Sequence, residues 1–172
     1  MANNNEKRGL VPFRHLTGGE IRTNSYTLKS GQTAYKGDLL SVDATGAVVV
    51  ATANDGVKLI GVAAEYKDAS AAAAAILVYD DPMTVFLVQE DGTGTAIAAA
   101  DAFSCANHVA GAGDTVTKLS GHKWNQASIA TSAKDLKLIG LVDMRGNAWG
   151  AYAKLEVVIN NHFLKGAGAA GI

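Results

Sequence analysis

From Ser25 onward the chain reads as short apolar runs, each about the length of a strand, separated by small groups of Gly, Asn, Asp and Ser. Residues 25–29, 38–43, 46–52 and 58–66 alternate in polarity or carry β-branched side chains. Ser30-Gly31, Thr45-Gly46 and Asn54-Asp55-Gly56 punctuate them as turns do. Further strands are predicted at 75–79 and 84–90, on either side of Asp80-Asp81-Pro82, and at 103–106, 115–119, 137–143 and 152–160. The last of these alternates through Tyr152, Lys154, Glu156 and Val158. Residues 97–100 fit either class. Residues 68–75 have helical propensity through alanine but are too short for a stable helix, so they read as a loop. Ser132 and Asp135 resemble the two ends of a capping box, which predicts one helical turn.

Two flanks depart from this pattern. Residues 1–24 follow neither a 3.6 nor a 2 period and are expected to form an extended N-terminal arm that orders on the body or on a partner. Residues 164–172 are Gly- and Ala-rich and read as a flexible tail. Between them lies a mainly β body, residues 25–163, a compact barrel or sandwich of short antiparallel strands with at most short helical turns. A weak repeat divides this body into halves of about 25–90 and 97–163. Lys58-Leu59-Ile60-Gly61-Val62 recurs as Lys137-Leu138-Ile139-Gly140-Leu141, and an apolar strand begins equally far beyond each glycine, at Ile76 and at Leu155. Asp38-Leu39-Leu40-Ser41-Val42 has a looser echo in Asp101-Ala102-Phe103-Ser104-Cys105. Two β-modules that bury faces against each other are the expected arrangement.

Composition adds that the 172-residue chain should fold, since 48% of it is hydrophobic and 18% charged. Only 6% is aromatic, which leaves little large apolar surface per residue and makes association a natural source of extra burial. A formal net charge of -1 gives no cationic surplus for a phosphate backbone, so nucleic acid is not the expected ligand. No apolar run reaches membrane-spanning length, and no apolar segment of a signal peptide follows the polar N-terminus, so synthesis in the cytoplasm is expected.

Motifs for catalysis are sparse. Gly166-Ala167-Gly168-Ala169-Ala170-Gly171 matches a dinucleotide fingerprint by composition only, because the strand and helix that give it meaning are missing. His15, His108, His122 and His162 are far apart in sequence. Cys105 and His108 have ligand-like spacing but supply two of the three or four ligands zinc takes, so no metal is assigned. Cys105 reads as a small buried hydrophobe. Asp80-Asp81 and Glu90-Asp91 read as turn acids. No catalytic residue and no cofactor are assigned, and the chain is read as a non-enzyme. Adhesion is the better fit: Arg8, Leu10, Val11, Pro12, Phe13, Arg14, His15 and Leu16 combine side chains that anchor interfaces. Val11, Phe13 and Leu16 have the alternative of folding back onto the chain's own body. Trp124 and Trp149 sit in loop contexts, where a core role is preferred over an exposed one.

The order of several short motifs resembles the head decoration, or capsid cement, proteins of tailed bacteriophages. These are Pro12-Phe13-Arg14-His15-Leu16, Gly37-Asp38-Leu39-Leu40, Gly61-Val62-Ala63, Val78-Tyr79-Asp80-Asp81-Pro82, Val85-Phe86, Gly140-Leu141-Val142-Asp143 and Val157-Val158-Ile159-Asn160-Asn161-His162. The resemblance implies a homotrimer on the outer surface of a virion. It would clamp adjacent major capsid proteins of HK97-like fold after the shell expands. Deleting residues 1–16 is then expected to weaken attachment and leave the body folded. The other readings are a tail or fibre module with carbohydrate affinity, and a small β-barrel hydrolase built on acids such as Asp80 and Asp81.

Overall fold

The computed structural model describes residues 3–53 and 57–166 and is mainly β. The Asn54-Asp55-Gly56 turn and most of the Gly/Ala-rich tail lie outside the described residues. In chain order the strands are β1 (Val11–His15), β2 (Asn24–Leu28), β3 (Gln32–Ala34), β4 (Leu39–Val42), β5 (Val48–Val50), β6 (Leu59–Ala63) and β7 (Lys67–Ala69). They continue with β8 (Ala74–Tyr79), β9 (Thr84–Gln89), β10 (Cys105–Ala106), β11 (His108–Val109), β12 (Lys123–Trp124), β13 (Leu136–Leu141) and β14 (Lys154–Ile159). Single 3-10 turns occur at Ala99–Asp101 and Gln126–Ser128. Among the described residues no helix is long and apolar enough to cross a membrane.

Strands β2, β5, β4, β6 and β8 close into a barrel, and β1, β9, β14, β13 and β10 form an open sheet in that order. The barrel is filled by Leu28, Leu40, Val48, Ile60, Ile76 and Val78. The second core lies between the barrel's outer wall and the sheet, where Leu39, Leu59 and Val62 meet Phe86, Leu138, Leu155 and Val157. Strand β6 belongs to both cores: every one of its residues is buried. A strand covered on both faces needs a continuous apolar run, and Leu59-Ile60-Gly61-Val62-Ala63 is one. In β14, by contrast, Leu155, Val157 and Ile159 face the core while Lys154, Glu156 and Val158 are half-exposed, the alternation of a one-sided strand. Trp124 is fully buried, and its indole N–H donates to the Gln126 carboxamide at 3.0 Å, which offsets the loss of water.

The repeated Lys-Leu-Ile-Gly segments become β6 and β13. Each lies between an upstream and a downstream strand, in the orders β4-β6-β8 and β10-β13-β14. Each also carries a bulge at the isoleucine before the glycine, since Ile60 is skipped in the ladder with β4 and Ile139 in the ladder with β14. The copies then diverge. The first closes into a barrel when β2 meets β5 in parallel at Leu28 and Val48, while the second stays open.

Four local expectations change. At 68–75, read as a loop, Asp68 and Ala69 belong to β7 and Ala74 and Ala75 to β8, because both ends are drawn into ladders with β3 and β2. Residues 115–119 form a turn, because the Asp114 carboxylate accepts the N–H groups of Val116 and Thr117, both at 2.8 Å, and so satisfies backbone donors that a ladder would have used. Residues 132–135 make no helical turn, and the Asp135 side chain is directed to His108. Phe103 leaves the strand predicted at 103–106 with φ +67.

Because Leu59 packs in the seam between barrel and sheet, Leu59→Ala is expected to cost about 2–5 kcal/mol and to keep a single unfolding transition. Urea denaturation followed by both fluorescence and circular dichroism checks this; separate transitions for the two probes would show that the cores unfold independently.

Candidate functional site

The eight residues singled out near the N-terminus lie along the body. Gly9 adopts φ +64, and a Cβ there would stand 2.7 Å from the Gly37 carbonyl and clash with Ser120. This close approach lets the Leu10 N–H donate to the Gly37 carbonyl at 3.0 Å and sinks the Leu10 side chain into the core. Strand β1 then pairs antiparallel with β9 as the edge strand of the sheet, with an irregularity at Phe13. Arg14 reaches across to Glu156 at 2.7 Å. His15 Nε2 meets Asp81 at 3.2 Å, and its Nδ1 accepts the N–H groups of Thr17 and Gly19, both at 3.2 Å, which fixes the turn that follows. Residues 3–19 are thus ordered along the chain's own body. Of the expected anchors, Leu10 is buried, Val11 and Pro12 are half-buried, and Phe13 and Leu16 stay 47% and 45% exposed.

Phe13 and Leu16 have apolar neighbours that the sequence pattern did not single out. The Leu16 N–H donates to the Met83 carbonyl at 2.9 Å, and Met83 is itself exposed. Strands β1 and β14 both end where β9 begins, since His15 pairs with Thr84 and Val158 with Val85. Just beyond β14 come Phe163 and Leu164, about half exposed. This end of the sheet therefore carries several large apolar side chains in water.

Three clefts flank the N-terminal segment. One of about 230 Å3 is polar, with Asn3, Glu6, Arg145, Asn147 and Lys154 among its walls. A smaller one lies between Glu6, Arg8 and β9. The third, also about 230 Å3, lies between residues 8–12 and the barrel wall. The acids of the hydrolase reading line none of these three. Asp80 is buried and accepts both Asn24 Nδ2 contacts, at 2.9 and 3.0 Å, and the Tyr26 hydroxyl at 2.5 Å. Burial, and then the Asp80 carboxylate, push the Tyr26 phenol up to about 12.

The fold also gathers titratable groups that are far apart in sequence. His108 and His122 stack with ring centroids 5.0 Å apart, wholly buried. His108 Nδ1 meets Asp135 at 2.8 Å and its Nε2 faces the Ala51 carbonyl at 3.3 Å. His122 Nδ1 accepts the Leu39 N–H at 3.2 Å, so its proton sits on Nε2, 3.5 Å from Asp38. Burial, and then the charge of His108, push His122 down to about 3, while burial pushes the Asp38 carboxyl up. The chain Asp38, His122, His108, Asp135 crosses from β4 to the second half of the molecule. No periodic motif announces it, because the four residues come from four separate loops and strand ends. Cys105 and His108 do not share a site: the Cys105 sulfur receives Asn160 Nδ2 at 3.5 Å. Among the described residues no group of three or more His, Cys, Asp and Glu side chains could hold a metal ion.

The chain matches no protein-family model, and no curated protein is similar enough to count as a relative.

Two outcomes follow from this geometry. Gly9→Ala should cost at least about 1–2 kcal/mol, because it combines a left-handed φ with a steric conflict, and should expose amides of β1 to hydrogen exchange; unchanged exchange at Val11 and His15 would show that the Gly9 contact does not hold the strand. The second outcome is acid sensitivity. His122 and His162 are held neutral, pushed down to about 3 and about 4 from the ordinary histidine value of 6.5, with burial the leading cause in both. Their depressed values stabilise the fold fully above 6.5, and that contribution is lost as pH falls from 6.5 toward 4 and 3, by at most about 1.4 kcal/mol per pH unit per ring. A stability profile of His162→Gln that stays parallel to the parent between pH 6.5 and 4 would contradict this.

Proposed function

We propose that this protein decorates the head of a tailed bacteriophage, adhering to adjacent major capsid proteins of HK97-like fold through the surface carried by β1 and the neighbouring end of the sheet. The observation that carries the reading is the division of labour within one short segment. Leu10 is spent on the chain's own core, while Phe13 on the edge strand and Leu16 just past its end, bonded to the exposed Met83, remain half exposed. Large apolar side chains held in water on a rigid mount suit a protein interface. Of the motifs that resemble decoration proteins, Pro12-Phe13-Arg14-His15-Leu16 lies on this surface.

In this reading the protein acts by adhesion and not by catalysis, and it works as a homotrimer on the outside of the expanded shell. Three modest contacts per trimer bind with an avidity that one such contact lacks, because the second and third attachments are intramolecular. Shell expansion controls attachment if the coat edges come together only in the expanded state.

Removing residues 1–16 is a poor test, because it takes Leu10 from the core and β1 from the sheet. The surface variant Phe13→Ala/Leu16→Ala keeps both. It is expected to lose more than about tenfold in occupancy on expanded shells, with a thermal midpoint within a few degrees of the parent. Undiminished decoration by a folded double variant would remove this surface from the interface.

A further inference from the structure

The third cleft lies on the barrel side of the N-terminal segment. Val11, Pro12 and Leu119 form its accessible apolar wall over the buried Leu10, Tyr79 and the buried Ala63 close the barrel end, and Arg8 and Lys36 bring positive charge. No acidic side chain lines it. Glu6, 3.4 Å from Arg8, is shared with Lys154 at 3.6 Å, and Lys36 makes no ion pair among the described residues, so positive charge is in excess at the mouth. The cleft is also rigid. Its floor is set by the Leu10 N–H on the Gly37 carbonyl at 3.0 Å and the Gly37 N–H on the Ala63 carbonyl at 2.9 Å, and its far wall by the Ser120 N–H on the Lys36 carbonyl at 2.9 Å.

We infer that this cleft is a socket for a segment of a partner protein that presents one large apolar side chain next to a carboxylate, the apolar group seated against Pro12 and Leu119 and the carboxylate turned toward Arg8 and Lys36. Its volume of about 230 Å3 favours this occupant. Sites for drug-sized ligands run to about 300–1,000 Å3, so the space suits one or two side chains and not a free cofactor. A bare apolar pocket would take any greasy group. The paired cations select an acidic neighbour, because a carboxylate placed there makes charge-assisted hydrogen bonds where a neutral amide makes ordinary ones. The inference rests on the adhesive reading above only for the identity of the partner, a coat subunit.

The test is a titration of the isotopically labelled full chain with the dipeptide N-acetyl-Leu-Asp-amide, using N-acetyl-Leu-Asn-amide as the neutral control. Saturating shifts are expected at the backbone amides of Val11, Lys36, Ala63 and Leu119, at least tenfold weaker with the control, and lost in Lys36→Glu. Lys36→Gln, which changes charge without reversing it, should fall between. The absence of shifts at millimolar probe, or equal shifts with both probes, overturns the socket. The outcome is separable from the function proposed above: a socket that binds the probe while Phe13→Ala/Leu16→Ala decorates normally leaves the cleft standing and removes the sheet-end surface, and the reverse result does the opposite.

Discussion

The short turn Lys36-Gly37-Asp38-Leu39 is the point through which the parts of this molecule are tied together. Gly37 accepts from Leu10 and donates to Ala63, so one residue holds both the N-terminal segment and the end of β6. Asp38 accepts the Ala63 N–H on its backbone and the Tyr35 N–H on its carboxylate. Lys36 donates to Lys118 and accepts from Ser120, and the Leu39 N–H reaches His122. Three segments distant in sequence, at Leu10, at Ala63 and at 118–122, thus hydrogen-bond to four consecutive residues. A turn so heavily used cannot shift without leaving buried donors and acceptors unpaired, each at a cost of about 1–3 kcal/mol. The barrel, the sheet, the edge strand and the apolar cleft all inherit their relative positions from it.

Much of the architecture was legible in the chain because it depends on local pattern. Alternation in 152–160 and the unbroken apolar run at 59–63 lead directly to a one-sided and a two-sided strand. The Lys-Leu-Ile-Gly repeat gave equivalent strand neighbours and a bulge at the same isoleucine in both copies. Four of the shortest elements were not legible. β3, β7, β11 and β12 are held by ladders with distant partners and have too few positions to display a period. The strand expected at 115–119 failed for a different reason: one aspartate satisfied the local donors before any ladder could.

The candidate surface was legible in part. The sequence concentrated attention on residues 8–16, and these residues do border the clefts and the exposed end of the sheet. What it could not supply was which of them face inward. Leu10 and Leu16 are the same residue type in the same segment, and only the contact of Gly9 with Gly37 decides that the first is buried. Met83, Phe163 and Leu164 were missed because they lie in a turn and just past the last strand, and only the antiparallel register of β1, β9 and β14 brings their elements to one end. The two central histidines were missed for the same reason, since stacking across a core has no sequence period.

The antiparallel pairing of β1 with β9 has a mechanical meaning. A pull along the axis of an edge strand loads its whole ladder in shear, so the hydrogen bonds resist together. A pull at right angles peels them open one after another. Because β1 enters the sheet from the buried Leu10 and leaves it at the turn pinned by His15, a load applied along the strand passes back into the turn at Gly37. The direction of a load on Phe13, as much as its size, then determines whether the strand holds.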